Sequence, residues 1–115
     1  MSSEILEIFP NQYPNREYQV TIECSEFTSL CPRTGQPDFG TIRVQYVPDQ
    51  SIIELKSLKL YFFSFRDQGI FYESVVNKIL DDLVAVARPI RCEVVGNFNI
   101  RGGITASVRS IFEQE

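Results

Sequence analysis

The sequence predicts an α+β fold, a four-stranded antiparallel sheet with two helices packed on one face. Three observations carry that expectation. Four stretches alternate apolar and polar residues with a period of two. Two stretches between them repeat apolar residues at helical spacing. The order is strand, strand, helix, helix, strand, strand, and a sheet with both helices on its apolar face is the simple way to bury all six.

Residues 1–16 hold two Pro and two Asn and show no sustained period. They read as an N-terminal arm lying on the body or on a neighbour, with 17–115 as a single domain. The first strand starts at Glu17: Tyr18, Val20, Ile22 and Cys24 face in, and Glu17, Gln19, Thr21 and Glu23 face out. The second covers 41–47, with Ile42, Val44 and Tyr46 inward. In the first helix Leu58, Tyr61, Phe62 and Phe65 fall at i, i+3, i+4 and i+7. In the second, Val76, Ile79, Leu80, Leu83 and Ala87 form the apolar stripe, and Pro89 ends it because the residue before a proline disfavours the helical region. The third strand covers 90–98 with Ile90, Cys92, Val94 and Phe98 inward, and the fourth covers 104–112 with Ile104, Ala106, Val108 and Phe112. The two edges of so small a sheet are open to further pairing, and pairing them between subunits gives a homo-oligomer.

Composition narrows the function. Of 115 residues, 43% are apolar and 23% charged, which suits one globular domain. There is no His, which excludes Ser-His-Asp and Cys-His catalysis and His-bearing zinc sites. The three cysteines, 24, 31 and 92, form no CxxC pair, so no metal site is expected. Their odd number and the absence of a signal-like N-terminus point to a reducing, cytoplasmic compartment. No apolar run reaches the ~18 residues of a membrane span. A net charge of −4 argues against direct nucleic-acid binding.

The connection between the first two strands, 25–40, is about sixteen residues where a hairpin needs two to five, and loops of that length are commonly functional. It holds Cys31 and Asp38, seven apart, with Arg33 between them. An unperturbed thiol is only about 3% ionised at pH 7, and a cation such as Arg33 raises that fraction. Asp38 offers the proton donor or acceptor that a site without His still needs. The bland reading of Cys31 is a small buried hydrophobe; Cys24 and Cys92 are read that way.

Lys56 and Lys59 are three apart at the start of the first helix, where cations oppose the dipole. An anionic ligand such as a phosphate explains them; so does a solvated basic face. Arg101, Gly102 and Gly103 form the tip of the last hairpin. The glycines make a turn, or let a ligand approach the backbone beside Arg101. Glu73 lies in the first turn of the second helix, favourable in itself; a functional Glu73 would accept two N–H bonds from a guanine-like edge.

These residues carry a resemblance. Glu54-Leu55-Lys56-Ser57-Leu58-Lys59-Leu60-Tyr61 resembles the signature of the QueF family, the NADPH-dependent 7-cyano-7-deazaguanine reductases. Cys31-Pro to Asp38-Phe-Gly40 resembles the family's catalytic loop. Phe71-Tyr72-Glu73 and Phe98 to Gly103 resemble two further segments, all in the right order. The resemblance implies the T-fold, or tunnelling fold, whose units stand side by side as an oligomeric barrel, here two stacked pentamers. It implies reduction of a nitrile to a primary amine, 7-aminomethyl-7-deazaguanine, for the queuosine of tRNA. Cys31 would attack the nitrile carbon to give a covalent thioimide, Asp38 would protonate the nitrogen, and two NADPH would supply the hydrides. Glu73 would hold the base, with Tyr72, Glu54, Leu55 and Ser57 also at the substrate. Lys56, Lys59, Arg101 and Gly102 would hold NADPH. Family members commonly have His where this chain has Tyr72, whose phenol does not titrate near neutrality and whose bland role is to pack on the sheet. Two alternatives stand: an amidinotransferase of the same family acting on the same nitrile, which would lack the Glu-Leu-Lys signature, and a non-catalytic purine-binding module.

Overall fold

The computed structural model describes residues 2–99 and 102–115. A 3-10 helix at Ser2–Ile5 leads into β1 (Ile8–Pro10). Then come β2 (Val20–Leu30), β3 (Pro37–Val47), β4 (Ser51–Ile53), α1 (Leu55–Phe63), α2 (Tyr72–Ala87), β5 (Arg91–Asn99) and β6 (Thr105–Glu113). Strands β2-β3-β5-β6 make one antiparallel sheet in that order, and β1 pairs with β4 in a second, two-stranded one. The predicted α+β architecture holds, with β2 and β6 at the edges of the main sheet.

The segment 25–40 is not a long loop. β2 runs on to Leu30 and β3 starts at Pro37, leaving a six-residue turn. The register slips between Cys24 and Phe27, a bulge that moves the inward face from even to odd positions. Phe27 and Ser29 then face in, opposite Gly40 and Asp38. The period of two is broken once, and three of the four inward positions carry no apolar side chain, so alternation is invisible there. The first strand also begins at Val20 rather than Glu17, and Ile104 is exposed, just before β6.

The inward face carries Phe27, Ile42, Val44, Tyr46, Cys92, Val94 and Phe98, all buried. Leu58, Tyr61 and Phe62 of α1 and Val76, Ile79, Leu80 and Leu83 of α2 close over it. Each such side chain contributes about 1.5–3 kcal/mol on burial. Phe27 meets Phe62, Phe65 and Phe98 at centroid distances of 6.4, 5.7 and 6.4 Å, so one aromatic cluster joins β2, α1 and β5. Tyr61 donates to Asp82 at 2.6 Å and so ties α1 to α2. The outward face is polar: Glu93 pairs with Arg109, Arg43 with Glu23 and Arg91 with Glu113.

The arm lies on the body. Leu6 and Asn11 are buried, and the Glu7 N–H donates to the Ser57 hydroxyl at 2.9 Å. Helix α2 ends where Arg88 takes the left-handed conformation (φ 47°) ahead of Pro89. Among the described residues no helix is long and apolar enough to cross a membrane.

Candidate functional site

The turn 31–36 shapes the surroundings of Cys31. The Cys31 N–H donates to the Gln36 carbonyl at 2.8 Å, and the Gly35 N–H donates to the Cys31 carbonyl at 2.8 Å. Gly35 sits at φ 72°, a conformation glycine adopts without steric cost. The turn brings the Thr34 hydroxyl and the peptide N–H groups of Arg33 and Thr34 onto the Cys31 sulfur, as a helix cap does for its side-chain oxygen. These hydrogen bonds favour the thiolate and hold the thiol below its ordinary value, the Thr34 hydroxyl most of all; burial and the Asp38 charge oppose them. Arg33 therefore acts through its peptide N–H, not as the cation that the sequence suggested. The Gln36 N–H donates to Thr34 Oγ1 at 3.2 Å, which leaves the hydroxyl proton for sulfur.

A test follows. Thr34→Val should move the pH profile of Cys31 alkylation by iodoacetamide upward and slow it severalfold at neutral pH, read by peptide mass at Cys31. An unmoved profile would show that the two peptide N–H groups suffice.

Asp38 lies on β3 opposite Ser29, on the inward face. Its carbonyl accepts from the Thr28 hydroxyl at 2.8 Å. The Ser29 hydroxyl beside it is buried with no hydrogen-bond partner among the described residues. Leu30 bridges to Gly69: its N–H donates to the Gln68 carbonyl (2.9 Å) and its carbonyl accepts from the Ile70 N–H (3.1 Å). This bridge sets the first turn of α2 beside Cys31 and Asp38. The Tyr72 phenol donates to the Asp38 carboxylate, and burial with that bond pushes its pKa up to about 12. Glu73 is exposed in the same turn, and the α2 N-terminus has no side-chain cap. Cys31, Asp38 and Tyr72 thus come together, with Glu73 next to them in the chain.

The signature at α1 divides. Glu54 is the N-cap: its carboxylate accepts from the N–H groups of Lys56 (2.8 Å) and Ser57 (2.7 Å), which hold it below the ordinary carboxylate range. A carboxylate there also answers the cations at the helix start. Ser57 is buried, and its hydroxyl donates to the Glu54 carbonyl at 2.8 Å. Leu55 and Lys59 line a cavity of about 530 Å³ between β2 and α1, together with Cys24, Phe27, Phe63 and Arg66; Lys56 is exposed and does not line it. Thr28 lines the same cavity, so the cavity and Asp38 share a neighbour across β2. Gly102 sits at the β5–β6 tip at φ 80°, and Arg101 lies outside the described residues. The sequence reading missed Thr34, Arg66 and the role of Phe98 beneath Tyr72. Only Thr34 left a signal, a hydroxyl three residues after the cysteine, as in a capping turn.

Comparison with known proteins gives the family. The QueF-like protein family matches residues 37–115. A protein of Chloroherpeton thalassium is 54% identical over all of this chain and 99% of its own. One of Chlorobaculum tepidum is 59% identical over 94% of this chain and 92% of its own. Both are named NADPH-dependent 7-cyano-7-deazaguanine reductase. The crystal structure of the archaeosine synthase QueF-Like in the apo form superposes with a TM-score of 0.73 at 19% identity, covering 83% of this chain and 91% of that one, a likeness of fold. The chain belongs to the QueF family.

Proposed function

We propose that this protein is an NADPH-dependent 7-cyano-7-deazaguanine reductase, reducing the nitrile to 7-aminomethyl-7-deazaguanine for queuosine in tRNA. The observation that carries the reading is Cys31 in a thiolate-favouring turn beside Asp38, in a chain 53–59% identical to proteins of that name. Asp38 accepts the Cys31 proton as sulfur adds to the nitrile carbon, then gives that proton to the nitrogen, so the thioimide keeps every atom of both reactants. NADPH, when bound, would supply the two hydrides that take the thioimide to the amine, with Cys31 leaving between them as thiolate, so that two NADPH and two protons are consumed per amine. Glu73 holds the pyrimidine edge of the base, with Glu54, Leu55 and Ser57 completing the substrate's surroundings.

The residues present fit the cofactor. Lys59 and Arg66 put two cations on the α1 side of a cavity of ligand size, and Phe27, Leu58, Phe62 and Phe63 give it apolar walls; Glu23 and Glu26 line the β2 side, so phosphates would sit toward α1. Lys56, Arg101 and Gly102 join them from a neighbouring subunit. The open edges of β2 and β6 support closure into rings, two pentamers stacked face to face. The three free cysteines suit the cytoplasm, and the net charge suits a free base rather than tRNA as substrate.

Adding 7-cyano-7-deazaguanine to protein and NADPH should oxidise two NADPH per nitrile. Nitrile consumption with ammonia and no NADPH loss would make the amidinotransferase reading the correct one. Binding of the base with neither reaction would leave a purine-binding module.

A further inference from the structure

Tyr72 is bound on both sides. Its ring stacks on Phe98 with centroids 4.0 Å apart and planes 13° from parallel. Phe98 is itself buried on the inward face, and two glycines make room for it. A Cβ at Gly40 would lie 2.7 Å from Phe98 Cδ1, and one at Gly96 would lie 2.6 Å from two other ring atoms. The Phe98 ring cannot slide, so the Tyr72 ring lying flat on it has a fixed plane and its hydroxyl a fixed direction. That hydroxyl donates to Asp38.

We propose that Tyr72 is a positioning residue for proton transfer: stacked on Phe98, its hydroxyl occupies one carboxylate oxygen of Asp38, fixes the carboxylate's orientation and leaves the other oxygen for the proton passed from Cys31 to the nitrile nitrogen. The proposal rests on the reading of Cys31 and Asp38 given above. It gives Tyr72 a task at Asp38 in place of the base contact that the family resemblance implies.

The chemistry requires such a device. An ionised Asp38 raises the proton affinity of Cys31, while the turn at Thr34 lowers it. The two groups therefore compete for one proton. For Asp38 to act first as base it must hold its charge before sulfur attacks. A phenol serves as the donor because it stays protonated throughout the working range. Among the described residues, the other neighbours of Asp38 do not supply this. β2 offers Thr28 and Ser29, neither ionisable; β5 offers Phe98 and Asn99; the turn offers Cys31 and an exposed Arg33; α2 offers Tyr72 and, beyond it, the exposed Glu73.

The test is the rate of nitrile capture by Cys31 without NADPH, followed against pH in wild type, Tyr72→Phe and Tyr72→His. Phenylalanine keeps the stack and loses the donor. A carboxylate that loses a donor takes up a proton more readily, so the acid limb should move up. Capture at neutral pH should slow about tenfold, while nitrile affinity stays within about threefold. Histidine keeps an N–H donor and a flat ring, and should restore most of the rate and the limb. The positioning role is overturned if Tyr72→Phe matches wild type, if affinity falls while the limb stays put, or if histidine does no better than phenylalanine. Wild type that captures no nitrile overturns the reading of Cys31 as well.

Discussion

Cys31→Ala should abolish nitrile-dependent NADPH oxidation, a loss of about a thousandfold or more, and leave the fold intact. Among the described residues the Cys31 sulfur is the strongest nucleophile at the site, and removing a nucleophile costs far more than removing a group that assists it. The fold survives because Cys31 belongs to the turn and lies outside the buried core. The hydrogen bonds that close the turn are made by the Cys31 backbone, which alanine keeps. Cys24 and Cys92 cannot substitute. Cys92 is buried, and burial pushes its thiol up to about 12; Cys24 packs against the core. Circular dichroism and the oligomer's mass should match wild type while turnover vanishes. Retention of turnover would mean that the reduction runs without covalent capture.

Gly40→Ala should destabilise the protein by about 3 kcal/mol, the upper range for forcing one methyl into a packed core. The added carbon would lie 2.6 Å from the Asn97 main-chain oxygen and 2.7 Å from the Phe98 ring. The first is held in the β3–β5 ladder and the second is wedged under Tyr72, so neither can yield cheaply. Denaturant melts read the stability. Activity per folded molecule should fall too, since a displaced Phe98 carries Tyr72 off Asp38. A variant with wild-type stability would mean that the sheet opens at Gly40 without strain, and the fixed seat of Phe98 would go with it.

Much of the fold was legible because most elements bury one clean face. Val76, Ile79, Leu80 and Leu83 mark α2, and Ile42, Val44 and Tyr46 mark β3, by periodicity alone. The hairpin around the site was illegible for a physical reason. The bulge after Cys24 reverses the inward parity, and the sheet positions nearest the chemistry are given to Ser29, Asp38 and Gly40 instead of apolar side chains. The stretch that looks like a loop is the part of the sheet freed from packing to serve the site. Cys31 and Asp38 were visible as a pair from their spacing, and their roles came from the family resemblance. Tyr72 was visible as a departure from that family's pattern, but its partners are brought in from β3 and β5 by tertiary contact. Lys56 and Lys59 show the converse: the sequence puts them on one side of a helix, and only Lys59 reaches the cavity.

In the proposed mechanism Cys31 bonds to the nitrile carbon while Asp38 manages the proton. The most direct test is the intact mass of the assembled protein after incubation with 7-cyano-7-deazaguanine and no NADPH. Wild type should gain the full mass of the nitrile once per chain, with fragmentation placing it on Cys31; Cys31→Ala should gain nothing, and NADPH should clear the adduct. Wild type that turns the nitrile over yet never carries its mass, or carries it on another residue, would contradict the claim.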